Sequence, residues 1–277
     1  MFITINGAKI YYVIAGQGKP VLTLHGGPGI GDMGDNKKMF SSIEDKFKFI
    51  YYDQRGNGLS EQSDPETYTH EQYVHDAESL RQNLGFAKLA LSGGSYGGII
   101  ALEYALRFPD SLTCMVLRGT AASYALQQAA FDNALQKDIP GVDQSLLEDL
   151  FFGRMKDDED LKNKFLKIYP LYSLNYDPDK VKEFVARKKF VAATHNAFFT
   201  REFPRYDIRD RLGEISTPTL IMAGRYDWIT PLKFARELKA GIPNSHLEIF
   251  ENAGHSIHSD EPEKFYKVVN EYLETYG

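Results

Sequence analysis

The pentapeptide Gly93-Gly94-Ser95-Tyr96-Gly97, set between a short apolar run and a helix-like stretch, constrains this chain more than any other feature. A serine with glycine at 93, 94, 97 and 98 reads as a sharp strand-to-helix turn, because only small neighbours tolerate so close an approach to a strained backbone. Such a turn needs a parallel βα framework around it. The rest of the chain supplies one. Residues 2–5 and 8–14 flank Asn6-Gly7, the pair that most readily gives both positive φ values of a type I′ turn, so the chain opens on a β-hairpin. Residues 21–24 and 47–52 have strand length, with a helical pattern over 35–43 between them. A helix over 69–84 opens on the capping signature Thr69-x-x-Gln72, and a strand over 88–91, a helix over 97–107 and a strand over 112–117 follow.

From residue 124 to about 211 the rhythm changes: Lys, Asp, Leu and aromatics recur at helical spacing, and no strand-like run bounded by turn signals interrupts them. Alternation resumes with a strand over 218–223, a helix over 231–240 with Thr230 as N-cap, a strand over 246–250 and a last helix over 261–276 capped by Asp260. The expectation is an α/β chain with a mostly parallel central sheet, helices on both faces and a helical lid insertion. Residues 1–123 and 212–277 form the sheet domain in this reading and 124–211 the lid. A length of 277 residues at 43% hydrophobic content supplies core enough for one such domain with its insertion.

Charge and patterning narrow the partners. The formal net charge is −6 and no long run of Lys or Arg is present, so no nucleic acid partner is expected. No apolar run approaches the roughly 20 residues of a membrane helix, so no membrane partner is expected either. The first residues lack the basic, apolar and cleavage segments of a secretory signal, and the expected location is cytoplasmic. The single cysteine, Cys114, has no partner for an intrachain disulfide and lies in the apolar run 112–117, where it reads as a small core residue. The sequence leaves the oligomeric state open.

A serine hydroxyl is a weak nucleophile at neutral pH unless a base takes its proton, so Ser95 calls for a histidine and an orienting acid at the carboxyl ends of later strands. Asp227 follows the strand over 218–223, and His255 follows the strand over 246–250. Ser95, Asp227 and His255 are therefore read as nucleophile, acid and base. His258 on the same loop is the rival base, but Gly254 beside His255 favours the tight approach a catalytic loop needs. His25, His195 and His246 are read as structural or exposed. Gly29-Ile30-Gly31-Asp32-Met33-Gly34 fits a dinucleotide fingerprint with Asp53 downstream, yet the strand before it ends too early and Pro28 interrupts, so no cofactor is expected. His255, His258 and Asp260 offer a ligand trio without any His-Glu-x-x-His or cysteine cluster, and no metal is expected.

His25-Gly26-Gly27-Pro28-Gly29 follows an early strand and Asp53-Gln54-Arg55-Gly56 the next; the Ser95 turn, Gly224-Arg225-Tyr226-Asp227 and Gly254-His255-Ser256 follow in order. This series resembles the proline iminopeptidase family of α/β-hydrolases across the sheet domain, with the lid only loosely matched. The resemblance implies the α/β-hydrolase fold and release of an N-terminal proline through an acyl-enzyme. It also implies an oxyanion hole formed by the backbone N–H groups of Tyr96 and Gly27. Physically this is sound, since a glycine lets the backbone reach a tetrahedral oxygen without a Cβ in the way. Asp53 and Arg55 are read as an ion pair bracing these loops.

The expected substrate is a small molecule or a short peptide. Prolyl release needs a carboxylate to hold the free α-amino group. Compact enzymes of the resembled family can carry glutamate directly after the triad aspartate, where this chain has Trp228. Glu202 or Glu183 in the lid is then the candidate anchor, and Trp228, Phe198, Phe199, Tyr96 and Tyr124 read as an apolar pocket. A carboxylesterase or lactonase acting on small acyl esters is the alternative with the same chemistry. A non-catalytic small-molecule receptor is the alternative from another class, although a pure binder has no physical need for a strained serine turn.

Overall fold

Asn6 and Gly7 both take positive φ, 46° and 75°, and fold β1 (Phe2–Ile5) back on β2 (Ala8–Gly16) as an antiparallel pair. The computed structural model describes residues 1–137 and 139–277. Beyond the hairpin come β3 (Lys19–Leu24), β4 (Phe47–Tyr52), β5 (Leu89–Gly94), β6 (Leu112–Arg118), β7 (Thr219–Gly224) and β8 (Ser245–Phe250). They form an eight-stranded sheet in the order β1-β2-β4-β3-β5-β6-β7-β8. Pairing is antiparallel at β1-β2 and β2-β4 and parallel at every later step. The chain winds outward in one direction from β3 to β4 and in the other from β5 onward. The carboxyl ends of β3 and β5 therefore border the reversal point where open α/β sheets leave a crevice.

Alternation along the buried strands sorts the core into two layers. Leu22, Ile50, Leu91, Leu117 and Ile221 point to one face, against α2 (His70–Asn83), α3 (Tyr96–Arg107) and a later helix, Leu232–Gly241. Val21, Phe49, Val116 and Leu220 point to the other, against α1 (Met33–Phe40) and the carboxyl-terminal helix Pro262–Tyr276. A parallel sheet covered on both faces needs such continuous apolar strands, which explains why these runs read as unbroken hydrophobic stretches. Cys114 is buried in the second layer, as the sequence suggests, and burial pushes its thiol up to about 12.

Between β6 and β7 the chain runs through α4 (Ala125–Leu135), α5 (Gln144–Phe151), α6 (Asp158–Ile168), α7 (Pro178–Arg187) and α8 (Ala192–Ala197). Their apolar faces, including Leu147, Phe151 and Phe165, build a third cluster that reaches Ile30 and Trp228 of the sheet domain. The helix Leu232–Gly241 is α9, and α10 (Ile257–Asp260) and α11 (Pro262–Tyr276) end the chain. No helix among the described residues is long and apolar enough to cross a membrane.

Three local expectations are corrected. Thr230 is not the cap of α9, whose N-cap position is Pro231; its hydroxyl turns instead to Asp227. Asp260 does not cap α11, which starts on Pro262 and so lacks one of the N–H groups a cap would serve; its carboxylate takes the Ser173 hydroxyl at 2.6 Å and the Gly254 N–H at 2.8 Å. Arg55 pairs with Asp76 at 2.8 Å, not with Asp53, which is turned toward the backbone N–H groups of Met33 and Leu59.

The Arg55–Asp76 pair has side chains only 2% and 1% exposed, so removing one partner strands a buried charge. Asp76→Ala is expected to cost about 3–5 kcal/mol in urea unfolding. Asp53→Asn leaves that pair whole, and a comparable loss there would show that the bracing charge had been wrongly placed.

Candidate active site

Ser95 closes β5 and opens α3 with φ 53° and ψ −121°, a conformation that non-glycine residues adopt only at a cost of about 1–3 kcal/mol. The surroundings hold it there. Its N–H donates to the Arg118 carbonyl at 2.8 Å, and its carbonyl accepts the Thr120 hydroxyl at 2.9 Å, so the neighbouring strand clamps the turn from both sides. A Cβ on Gly97 would run into the carbonyl of Leu24, which is why this helix start must be glycine to lie so close to β3.

His255 follows β8, and its Nδ1 lies 2.7 Å from Asp227 Oδ2. The Asp227 carboxylate, 1% exposed, also accepts the N–H groups of Ile229 at 3.0 Å and Thr230 at 2.9 Å and the Thr230 hydroxyl. Burial acts most strongly on this carboxyl and pushes it up, but the charge and hydrogen bond of His255 and the Thr230 donors outweigh it and hold it below its ordinary value. An ionised, fixed Asp227 keeps the Nδ1 proton on its side of the ring and directs Nε2 outward. Tyr172 packs edge-on against the imidazole at 5.6 Å and limits its swing. Ser95 and His255 line one cavity without a direct hydrogen bond between them, a gap of the kind that substrate closes. His258 lines that cavity too, but burial, and then the Arg118 charge, lower it to about 3, and it has no contact with Asp227, so it is a poor base.

The loop after β3 is braced by the loop after β4. Gln54 donates its N–H to His25 Nε2 at 3.1 Å and its side-chain amide to the His25 carbonyl at 2.8 Å. Asn57 accepts the Gly29 N–H at 2.8 Å. Burial keeps His25 neutral by lowering it to about 4, and Nδ1 lies 3.1 Å from the Gly26 carbonyl, so the ring donates on one side and accepts on the other. So held, Gly27 takes φ 66°, and the N–H groups of Gly27 and Tyr96 have no acceptor among the described residues. Two free donors beside a serine at a helix N-terminus can hold a developing oxyanion. Asp32 and Asp53 accept the Gly34 and Met33 N–H groups at the start of α1, and these carboxylates occupy the place a dinucleotide pyrophosphate would need. Among the described residues, no three His, Cys, Asp or Glu side chains are placed to hold a metal ion.

Two cavities meet at Ser95. One, of about 90 Å³, is walled by apolar side chains including Leu126, Phe151, Ile168, Phe198 and Phe199, and carries no carboxylate. The other, of about 470 Å³, mixes polar and apolar side chains and contains His255. Phe198 and Tyr96, anticipated in the pocket, line the first cavity. Trp228 stands one layer back, packed edge-on against Phe151 and Tyr172 at 6.3 and 5.6 Å. Glu202 lines neither cavity; its carboxylate accepts the His70 N–H at the start of α2 at 2.9 Å. Glu183 and Tyr124 are exposed and line neither cavity. His195, read from sequence as structural or exposed, lines the apolar cavity; burial lowers it to about 4, and its Nδ1 has no partner. Arg118 and Asn36 were invisible as cavity residues because they face each other across 82 positions of sequence, whereas Thr230, close to Asp227 in sequence, was read as a helix cap.

The family model for the alpha/beta hydrolase fold matches residues 19–262. The proline iminopeptidase PfmaB of Pestalotiopsis fici is 31% identical, over 99% of this chain and 99% of its own. The proline iminopeptidase of Xylella fastidiosa is also 31% identical, over 92% of this chain and 90% of its own. Among solved structures, an alpha/beta fold family hydrolase from Bacillus anthracis superposes with a TM-score of 0.80 at 25% identity, covering 98% of each chain. An esterase from Exiguobacterium antarcticum superposes with a TM-score of 0.79 at 24% identity, covering 99% of this chain and 98% of that one, a likeness of fold.

The Thr230 hydroxyl is a test of how the acid is held. Thr230→Val is expected to lower stability by about 1–3 kcal/mol near neutral pH, because it removes a donor from a buried carboxylate. A depressed carboxyl contributes stability above its unfolded value and loses it as pH falls through the folded one, so the deficit should shrink in acid. Urea unfolding near pH 7 and near pH 3 reads both; a deficit independent of pH would place the effect in packing instead.

Proposed function

The chain belongs to the alpha/beta hydrolase fold family as a proline iminopeptidase-like member, and from that premise we propose a serine hydrolase that works through an acyl-enzyme. Ser95 is the nucleophile, His255 the general base and Asp227 its orienting acid. The observation that carries this reading is the convergence on one cavity of the strained Ser95 and of a His255 whose Nδ1 is held by a buried carboxylate. His255 Nε2 takes the Ser95 proton as Oγ bonds to the substrate carbonyl carbon. The carbonyl oxygen, now negative, is held by the Gly27 and Tyr96 N–H groups, each worth about 3 kcal/mol in the transition state. His255 then protonates the leaving atom as its bond to carbon breaks, and a water activated by the same ring releases the acid and restores Ser95.

The acyl group is uncharged and apolar in this proposal. A free ammonium in the smaller cavity would meet Leu, Ile and Phe walls with no carboxylate among the lining residues, at a cost of several kcal/mol. That favours an ester over an amino-terminal prolyl amide. The second reading, a prolyl aminopeptidase, is supported by the 31% identity to proline iminopeptidases and requires the lid to bring a carboxylate inward.

Ser95→Ala is expected to lower kcat/KM on 4-nitrophenyl butyrate by roughly four orders of magnitude or more while keeping the folded circular dichroism. Near wild-type turnover in that variant overturns the assignment. Methyl cyclopentanecarboxylate and proline methyl ester differ by the ammonium alone, and the neutral ester is expected to be cleaved about tenfold faster or more. A preference for the prolyl ester returns the choice to the aminopeptidase.

A further inference from the structure

The larger cavity contains polar groups that the reaction above leaves unused. Arg118, at the end of β6, donates Nη2 to Asn36 Oδ1 at 3.1 Å and lies over the Phe40 ring at 5.9 Å, but its Nε is buried without a partner. It forms no ion pair among the described residues. Asn36 is 2% exposed, and because its Oδ1 faces Arg118, its Nδ2 is oriented as a donor; that atom too is buried and unpartnered. His258 Nδ1 is a third buried polar atom without a partner. All three side chains line the cavity that contains Ser95 and His255.

The remaining charges make this wall positive. Lys38 and Arg187 line the same cavity and form no ion pair among the described residues. Asp35 is the one acid of the lining, and it is already bound to Lys188 at 2.5 Å, itself held by Asp32 at 2.8 Å. A half-buried guanidinium without a counter-ion beside a nucleophile is costly for the empty protein, and an arriving anion removes that cost. Burial lowers Arg118 only to about 10, so it is charged at neutral pH.

We infer that this cavity is a carboxylate subsite for the leaving group, in which Arg118 and the Nδ2 of Asn36 hold an anionic group on the part of the substrate that departs. The inference rests on the serine hydrolase reading. The leaving atom must be reached by His255, which lines this cavity and not the apolar one, so the departing half lies on the positive side and the neutral acyl half on the other. The planar guanidinium can meet both oxygens of a carboxylate, and Asn36 Nδ2 supplies a further donor. The substrate class is therefore an apolar acyl group joined to a hydroxy or amino acid through its oxygen or nitrogen.

The test compares 4-carboxyphenyl butyrate with its neutral isostere 4-carbamoylphenyl butyrate. In the wild type the carboxylate is expected to give a kcat/KM about tenfold higher or more at low ionic strength, falling as salt is added. The ratio should drop to about one in Arg118→Met and to an intermediate value in Arg118→Lys and in Asn36→Leu. A wild-type ratio near or below one overturns the subsite without any variant, and so does a ratio unchanged in a folded Arg118→Met. Should neither ester be cleaved, the hydrolase reading has failed, and titration calorimetry with benzoate decides the subsite alone. Binding by wild type that is weakened in Arg118→Lys supports it; no binding by wild type ends it.

Discussion

The backbone of Ser95 is the constraint on which the rest of the site depends. A residue at φ 53° and ψ −121° between a buried strand and a helix is affordable only if its neighbours leave no alternative. Two hydrogen bonds tie the turn to the end of β6 and its following loop. The glycine at 97 presses α3 against the end of β3. Because β3 and β5 are adjacent and parallel, this packing also fixes the loop that follows β3, so Ser95 and the two free N–H donors are positioned by one contact. Loop placement here follows from sheet order, with the crevice at the reversal point as its consequence.

Around that turn the protein separates its electrostatics. The wall of the smaller cavity is apolar and contains a histidine kept neutral by burial, while the wall on the side of His255 is positive. Asp227 sets a negative charge against His255, and its four acceptor contacts keep it ionised in a dry setting. The helical segment between β6 and β7 completes both walls: Phe151, Phe165 and Phe198 come from it, and so does the Lys188 that neutralises Asp35.

Much of this was legible in the sequence, for identifiable reasons. The hairpin was readable because Asn6-Gly7 admits few other conformations, and the strands because a parallel sheet covered on both faces requires apolar runs. Ser95, Asp227 and His255 could be singled out because each lies just after a recognisable strand, in a fixed order along the chain. What could not be read was which partner each of several polar side chains takes. Asp53 is near Arg55 in sequence, yet Arg55 reaches Asp76 on α2; Thr230 looks like a helix cap, yet serves Asp227. Glu202 suggested a substrate anchor, and its carboxylate is instead turned to the first turn of α2. For Arg55 and Glu202 a local rule competed with a partner that only the folded chain brings close, for Thr230 one local contact displaced another, and for Arg118 and Asn36 no local rule gave any signal.

In the proposed reaction a covalent acyl group resides on Ser95 during turnover. The most direct measurement is acid-quenched intact-protein and peptide mass spectrometry of enzyme mixed with 4-nitrophenyl butyrate, in the wild type and in a variant, Asp227→Asn, that slows deacylation. A mass increase of one butyryl group, confined to the peptide carrying Ser95, is expected. Turnover with that peptide unmodified at every quench time, or with the adduct on another residue, would contradict it.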